Sequence, residues 1–209
     1  MSPRLELIGQ GLRKEYDRRS VFRDVSFSVS SGETLLVTGR NGSGKSTLVK
    51  IICGVLTPGG GTLTITPSPE GAGRDRRAFF GLVSPYLQMF EEFTAVENLA
   101  LAMGIRGLAF DPGAADALLE RVALFPRRHD PVRTYSSGMK QRIKYAFALL
   151  HSPEVLVLDE PMSNLDIEGV DVVRGIMAEH RRRGILVVAT NDMTDIDTFE
   201  RRVDLNERR

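Results

Sequence analysis

Residues Gly39-Arg40-Asn41-Gly42-Ser43-Gly44-Lys45-Ser46-Thr47 complete the pattern G-x-x-x-x-G-K-[ST]. Glycines at this spacing let the backbone curl so that several N–H groups point at phosphate oxygens, and a helix opening behind them adds the positive end of its dipole. Lys45 is placed to bridge β- and γ-phosphates, Ser46 to offer its hydroxyl to Mg²⁺, and Thr47 to bond a phosphate oxygen further back. Much later in the chain, the apolar run Val155 to Leu158 ends in Asp159 and Glu160. A parallel strand next to the loop strand would bring Asp159 to the metal through a water, and Glu160 would polarise a water for attack on the γ-phosphate. Together the two motifs imply binding of a nucleoside triphosphate with Mg²⁺ and phosphoryl transfer to water.

The elements that must hold these residues are legible in the apolar pattern. Arg4 to Gly9 and Asp24 to Ser30 alternate apolar and polar residues, and Thr34 to Thr38 is an apolar run feeding the glycine loop. Leu48 to Cys53 reads as the helix behind the loop, and Thr62 to Thr66 as a β-branched strand ended by the turn cluster Pro67 to Gly71. Arg74 to Arg77 reads as a solvated basic loop. Between about Pro85 and Leu150 the pattern turns helical. Thr94 followed by Glu97 forms a capping box opening a helix to about Met103, and Gly113 to Leu124 and Gly138 to Leu150 read as further helices. Alternation then resumes with strand Val155 to Leu158, helix Ile167 to Arg182 and strand Ile185 to Thr190. Arg181, Arg182 and Arg183 sit before Gly184, where cations suit the negative end of a helix dipole. Strand–helix alternation on both sides of a helical insertion predicts an α/β sheet carrying a helical subdomain.

Composition narrows the function classes. With 209 residues, of which 42% are hydrophobic and 26% charged, the chain has the makings of one well-buried domain. The 28 Lys and Arg against 27 Asp and Glu leave a net charge of +1, so no nucleic-acid partner is expected. A single cysteine excludes a disulfide framework and a zinc cluster, and Cys53 reads as core filler. His129, His151 and His180 lack metal-ligand spacing. Apolar runs such as Ile185 to Ala189 are far shorter than the roughly 20 residues a bilayer span requires, and the first residues lack the apolar core of a signal peptide. The expectation is a chain that stays inside and reaches a membrane only by docking on another protein.

Between the loop and the acidic strand lies Tyr135-Ser136-Ser137-Gly138-Met139-Lys140-Gln141-Arg142, which resembles the L-S-G-G-Q signature of ATP-binding cassette (ABC) ATPases in a Y-S-S-G-M-K-Q-R form. Pro161-Met162-Ser163-Asn164-Leu165-Asp166 is similar to that family's D-loop, and Phe79 to Leu99 resembles the segment holding its glutamine loop. The resemblance covers essentially the whole chain. It implies a P-loop NTPase sheet with an antiparallel β subdomain and an inserted α-helical subdomain, in a single domain whose core is residues 1–84 and 151–209 and whose helical part is about 85–150. It implies ATP and Mg²⁺ as cofactors. Ser136, Ser137 and Gly138 would hold the γ-phosphate of ATP on the opposite subunit of a homodimer or heterodimer. Further implied are integral-membrane permease subunits as partners, on the inner face of the cell membrane. Tyr16 stands where an aromatic ring stacks on adenine, with a core role for it, or Phe22 as the stacker, as alternatives. Tyr86, Leu87, Met89, Phe90 and Phe93 read either as a hydrophobic docking patch for the permease or as subdomain core.

Two positions depart from the family pattern. Its metal-sensing glutamine falls on Pro85, which has neither a side-chain ligand nor an N–H, with Gln88 as the nearest substitute. Its switch histidine falls on Asn191, which donates a hydrogen bond but carries no proton between pH 5 and 8. These departures keep open an ATP-binding regulatory module with weak turnover beside the transport ATPase. Relatives acting on ribosomes or DNA carry two cassettes or long insertions that do not fit in 209 residues. The minimal length is similar to that of small exporters' cassettes, including the haem-exporter subunit of cytochrome c maturation.

Overall fold

The structure is a computed structural model and describes residues 5–67, 75–192 and 199–207. Among the described residues, eight strands form two sheets. An antiparallel sheet takes the order β2 (Arg19–Ser30), β1 (Glu6–Tyr16), β4 (Gly60–Thr66). A parallel sheet takes the order β5 (Phe80–Val83), β6 (Val155–Asp159), β7 (Ile185–Ala189), β3 (Thr34–Thr38), β8 (Arg201–Asp204). The described residues also form five α-helices: α1 (Lys45–Ile52), α2 (Ala95–Ile105), α3 (Pro112–Arg121), α4 (Ser137–Leu149) and α5 (Ile167–Arg183).

The central strands are apolar throughout because both faces of the parallel sheet are covered. Alternate residues enter different cores. Leu35, Val37, Val157 and Val187 pack with Leu48 and Ile52 of α1 and with Leu7, Leu12, Phe22 and Val25 of the antiparallel sheet. Leu36, Leu156, Leu158, Leu186 and Val188 pack instead with Leu99, Leu119, Ile143 and Val173 of the other helices. The phosphate-loop helix and the helical insertion therefore lie on opposite faces of one sheet.

One expectation needs correction. The acidic strand β6 is not next to the loop strand β3, because β7 pairs with both and stands between them. The strands are parallel, so the C-terminal ends of β3, β6 and β7 still open on one edge, where ligands of such sheets bind.

The first two strands extend well past the segments expected. Register irregularities in β1 after Gly9, Leu12 and Lys14 break the period-two pattern, yet pairing continues to Tyr16 opposite Arg19. The intervening Asp17 and Arg18 turn with φ of 47° and 64°. β5 and β8 have no counterpart among the strands expected from the sequence. β8 is an edge strand of Arg201, Arg202, Val203 and Asp204, in which Val203 alone is buried. Helix α1 begins at Lys45, a turn before the first apolar residue of its pattern. The capping box forms as read: Thr94 Oγ1 accepts from Glu97 N at 3.2 Å, and Glu97 Oε2 accepts from Thr94 N at 2.8 Å. Asp75 caps a 3₁₀ turn at Arg76–Phe79 and pairs with Arg77 at 2.7 Å. Arg74 and residues 68–71 of the expected turn lie outside the described residues.

Candidate functional site

The loop from Gly39 to Thr47 leaves β3 and runs straight into α1. Two of its glycines have conformations that other residues would resist. Gly44 caps α1 at φ 102°, and a Cβ there would come within 2.5 Å of Val21. Gly39 sits at φ 150°, where a Cβ would meet Ser43 Oγ at 2.4 Å. No acidic residue occupies the first turn of α1, so its unpaired N–H groups present an uncompensated positive end. The Ser43 hydroxyl is buried with no hydrogen-bond partner. Lys45 is buried, and its ammonium donates to the Gly39 carbonyl at 2.9 Å and lies 3.4 Å from Glu160 Oε1. An anion-shaped cradle with a buried cation at its mouth fits the phosphates of a nucleotide.

The carboxylates at the end of β6 have different surroundings. Asp159 is 1% exposed and neither of its oxygens has a hydrogen-bond partner. Burial raises its pKa above the ordinary carboxylate range, partly offset by the Ser46 hydroxyl, Lys45, the Ser84 hydroxyl and Lys50. An orphaned buried carboxylate facing a serine hydroxyl is a hard-oxygen pair suited to Mg²⁺. Among the described residues no cluster of three His, Cys, Asp or Glu could hold a metal alone, so phosphate and water would complete such a shell. Glu160 is less buried and takes φ 51°, a left-handed conformation that costs a non-glycine residue about 1 kcal/mol or more. Its N–H donates to the Ala189 carbonyl at 2.8 Å, and Thr190 Oγ1 reaches its Oε2 at 3.4 Å. Backbone and side-chain contacts thus turn Glu160 toward Lys45 while Asp159 stays in the sheet.

A cleft of about 510 Å³ brings together Asn41, Gly42, Gly44 to Thr47 and Glu160 with Tyr16, Val21, Pro85 and Tyr86. Tyr16 is 49% exposed, with Lys14 Nζ 5.2 Å from its ring centre, whereas Phe22 is fully buried. Only the former has a face free to stack. Asn191, just after β7, reaches Asn41 Oδ1 with its side-chain nitrogen at 3.4 Å. Gln88 is exposed and is not part of this cleft's wall; Pro85 and Tyr86 are. Ser136 caps α4 by accepting from Met139 N at 3.2 Å, and Ser136 and Ser137 are exposed. None of Ser136, Ser137 and Gly138 lines the cleft. Of the apolar residues after β5, Tyr86, Phe90 and Phe93 are exposed, whereas Leu87 is half-buried and Met89 packs against the helical core.

Cys53 is buried, which pushes its thiol up to about 12 and leaves it inert. Asn206 escaped sequence reading. Its Oδ1 accepts from the backbone N–H of Arg40 at 3.0 Å, while Asp204 Oδ1 accepts from both nitrogens of Asn206 at 2.9 Å. The 3₁₀ turn Leu205–Glu207 after β8 thereby braces the phosphate loop, and no motif in its sequence signals that.

The chain belongs to the ABC transporter family, whose model matches residues 22–163, and it is an ATP-binding domain with the ATPase activity of that family. Among its relatives is the cytochrome c biogenesis ATP-binding export protein CcmA of Nitrosococcus oceani, 34% identical over 90% of this chain and 86% of that protein. The lantibiotic transport ATP-binding protein SrtF of Streptococcus pyogenes is 30% identical over 87% of this chain and 78% of its own length. The linearmycin resistance ATP-binding protein LnrL of Bacillus subtilis is also 30% identical, but this chain spans 60% of it. A solved ATP-binding subunit of an ABC transporter superposes with a TM-score of 0.78 at 28% identity, covering 90% of this chain and 80% of that one. A bacterial Atm1-family ABC exporter with ATP bound shares the fold, with a TM-score of 0.81 over 98% of this chain and 37% of that one. No helix among the described residues is long and apolar enough to cross a membrane.

Proposed function

We propose that this chain is the ATP-hydrolysing subunit of an exporter, working as a dimer that closes over ATP and pulls on a separate membrane permease. The observation that carries this reading is the separation of the signature from the loop. Asn41, Gly42, Gly44 to Thr47 and Glu160 line one cleft, with Asp159 buried next to Glu160 in sequence, while Ser136 and Ser137 are presented outward at the positive end of α4. Such a helix end is complementary to a γ-phosphate bound on a second copy. Names of relatives that act in export and resistance support the direction of transport.

In this reading Tyr16 stacks on the base, and the loop N–H groups and Lys45 take the phosphates. Ser46 and Asp159 hold Mg²⁺, which when bound neutralises phosphate oxygens and helps align them. Phosphoryl transfer to water needs in-line geometry and charge neutralisation more than covalent chemistry. Glu160 accepts the proton of the attacking water, and nucleotide phosphate replaces the Glu160 carboxylate as the partner of Lys45. Asn191 donates to the γ-phosphate from the end of β7. Tyr86, Phe90 and Phe93 form the surface on which the permease docks.

The test is Glu160→Gln with ATP. Turnover should fall by about a hundredfold or more, with nucleotide binding retained and an ATP-dependent dimer accumulating on size-exclusion chromatography. A variant that remains monomeric in MgATP would refute the closing-dimer reading.

A further inference from the structure

Pro85 leaves the cation side of the cleft without the glutamine that the family pattern places there, and Gln88 is not in the cleft wall. The residue before the proline is better placed. β5 and β6 pair in parallel up to Val83 opposite Leu158, so the next step of the register sets Ser84 beside Asp159. Ser84 is 5% exposed, so its side chain is held inside the protein next to that carboxylate.

Three contacts fix this serine. Its Oγ accepts from Tyr86 N at 3.3 Å, which leaves the hydroxyl proton free to point elsewhere. Its carbonyl accepts from Leu87 N at 3.1 Å and from Lys144 Nζ at 3.2 Å. Lys144 comes from the signature helix α4, also lies 3.5 Å from the Pro85 carbonyl, and has its pKa lowered by burial. Ser46 at the start of α1 and Ser84 after β5 thus bring two hydroxyls from two segments toward the one orphaned carboxylate, that of Asp159 at the end of β6.

We propose that Ser84 is a positioning residue of the cation site, its hydroxyl bonding the water shell of the divalent ion that Ser46 and Asp159 hold. This rests on the nucleotide-and-cation reading above. Mg²⁺ retains several of its waters when bound, so a fixed hydroxyl in the outer shell orients the ion without ligating it.

The experiment titrates Mg²⁺ against binding of a fluorescent ATP analogue to wild type, Ser84→Ala and Asp159→Asn. Ser84→Ala should bind the analogue like wild type in EDTA, yet need about tenfold more Mg²⁺ for the metal-dependent increment. Ser84→Thr, which keeps the hydroxyl, should restore the wild-type requirement. An unchanged Mg²⁺ requirement in Ser84→Ala, with a raised one in Asp159→Asn, would overturn the role of Ser84 and leave the cation site standing. Loss of analogue binding by Ser84→Ala in EDTA would make the serine structural and equally end the proposal. If Asp159→Asn also shows no shift, the cation reading fails and takes the proposal with it.

Discussion

Asn191 puts a carboxamide at the tip of β7, 3.4 Å from Asn41 of the phosphate loop. It can orient a phosphate but cannot gain or lose a proton near neutrality. Asn191→His should therefore raise steady-state turnover severalfold and add an ionisation near pH 6.5 to the rate profile, a value set by imidazole itself. Equal rates and an unchanged profile would show that proton transfer at this position does not limit the reaction. Residue-level reading was strongest where a motif states its own geometry, as from Gly39 to Thr47. It was weaker for Tyr16 and Phe22, two aromatic side chains that only burial separates. It missed Asn206 because a side chain bracing Arg40 from far along the chain leaves no local pattern.

Between β5 and α2 the chain has no regular structure, and Asn98 of α2 holds it together. Asn98 is buried. Its Oδ1 accepts from Phe90 N at 2.8 Å, and its Nδ2 donates to the carbonyls of Phe90 at 3.0 Å, Thr94 at 2.9 Å and Phe93 at 3.4 Å. Asn98→Ala removes that acceptor and both donor hydrogens at once, so the unfolding free energy should drop by about 2–3 kcal/mol in urea titration. The exposed Phe90 and Phe93 would lose their placement with it. Elements with strong signals are legible in the sequence: the Thr94 cap, the apolar strands β3, β6 and β7, and the basic end of α5. β5 and β8 are not, since four-residue strands carry too little pattern and their identity comes from pairing with a neighbour. β1 and β2 run past their alternating segments because bulges erase alternation without ending a ladder.

At the scale of the whole molecule, the two cores meet on one sheet, and stability should respond to pH through a histidine packed behind it. His180 near the end of α5 is 1% exposed. Burial, with the charges of Arg183 and Arg121, lowers its pKa to about 4, although backbone contacts with Glu154 and Ile185 work the other way. The unfolded chain takes up this proton near pH 6.5 and the folded chain does not. The contribution is therefore full above pH 6.5 and disappears as pH falls toward 4, a change of up to about 3 kcal/mol. His180→Leu should flatten the fall of the thermal midpoint over that window; an identical slope in both proteins would remove His180 as the cause. The order of strands in the parallel sheet was beyond sequence reading, because adjacency is decided by which helix covers which face.

Placing β7 between β3 and β6 has a mechanical result. Ala189 is bonded to Glu160, Thr190 touches the same carboxylate, and Asn191 touches the loop, so one strand has a hand on both halves of the cleft. Sliding it lengthwise by a fraction of a residue would misalign acid and cradle together, making this inner strand the common rail on which both must stay in step.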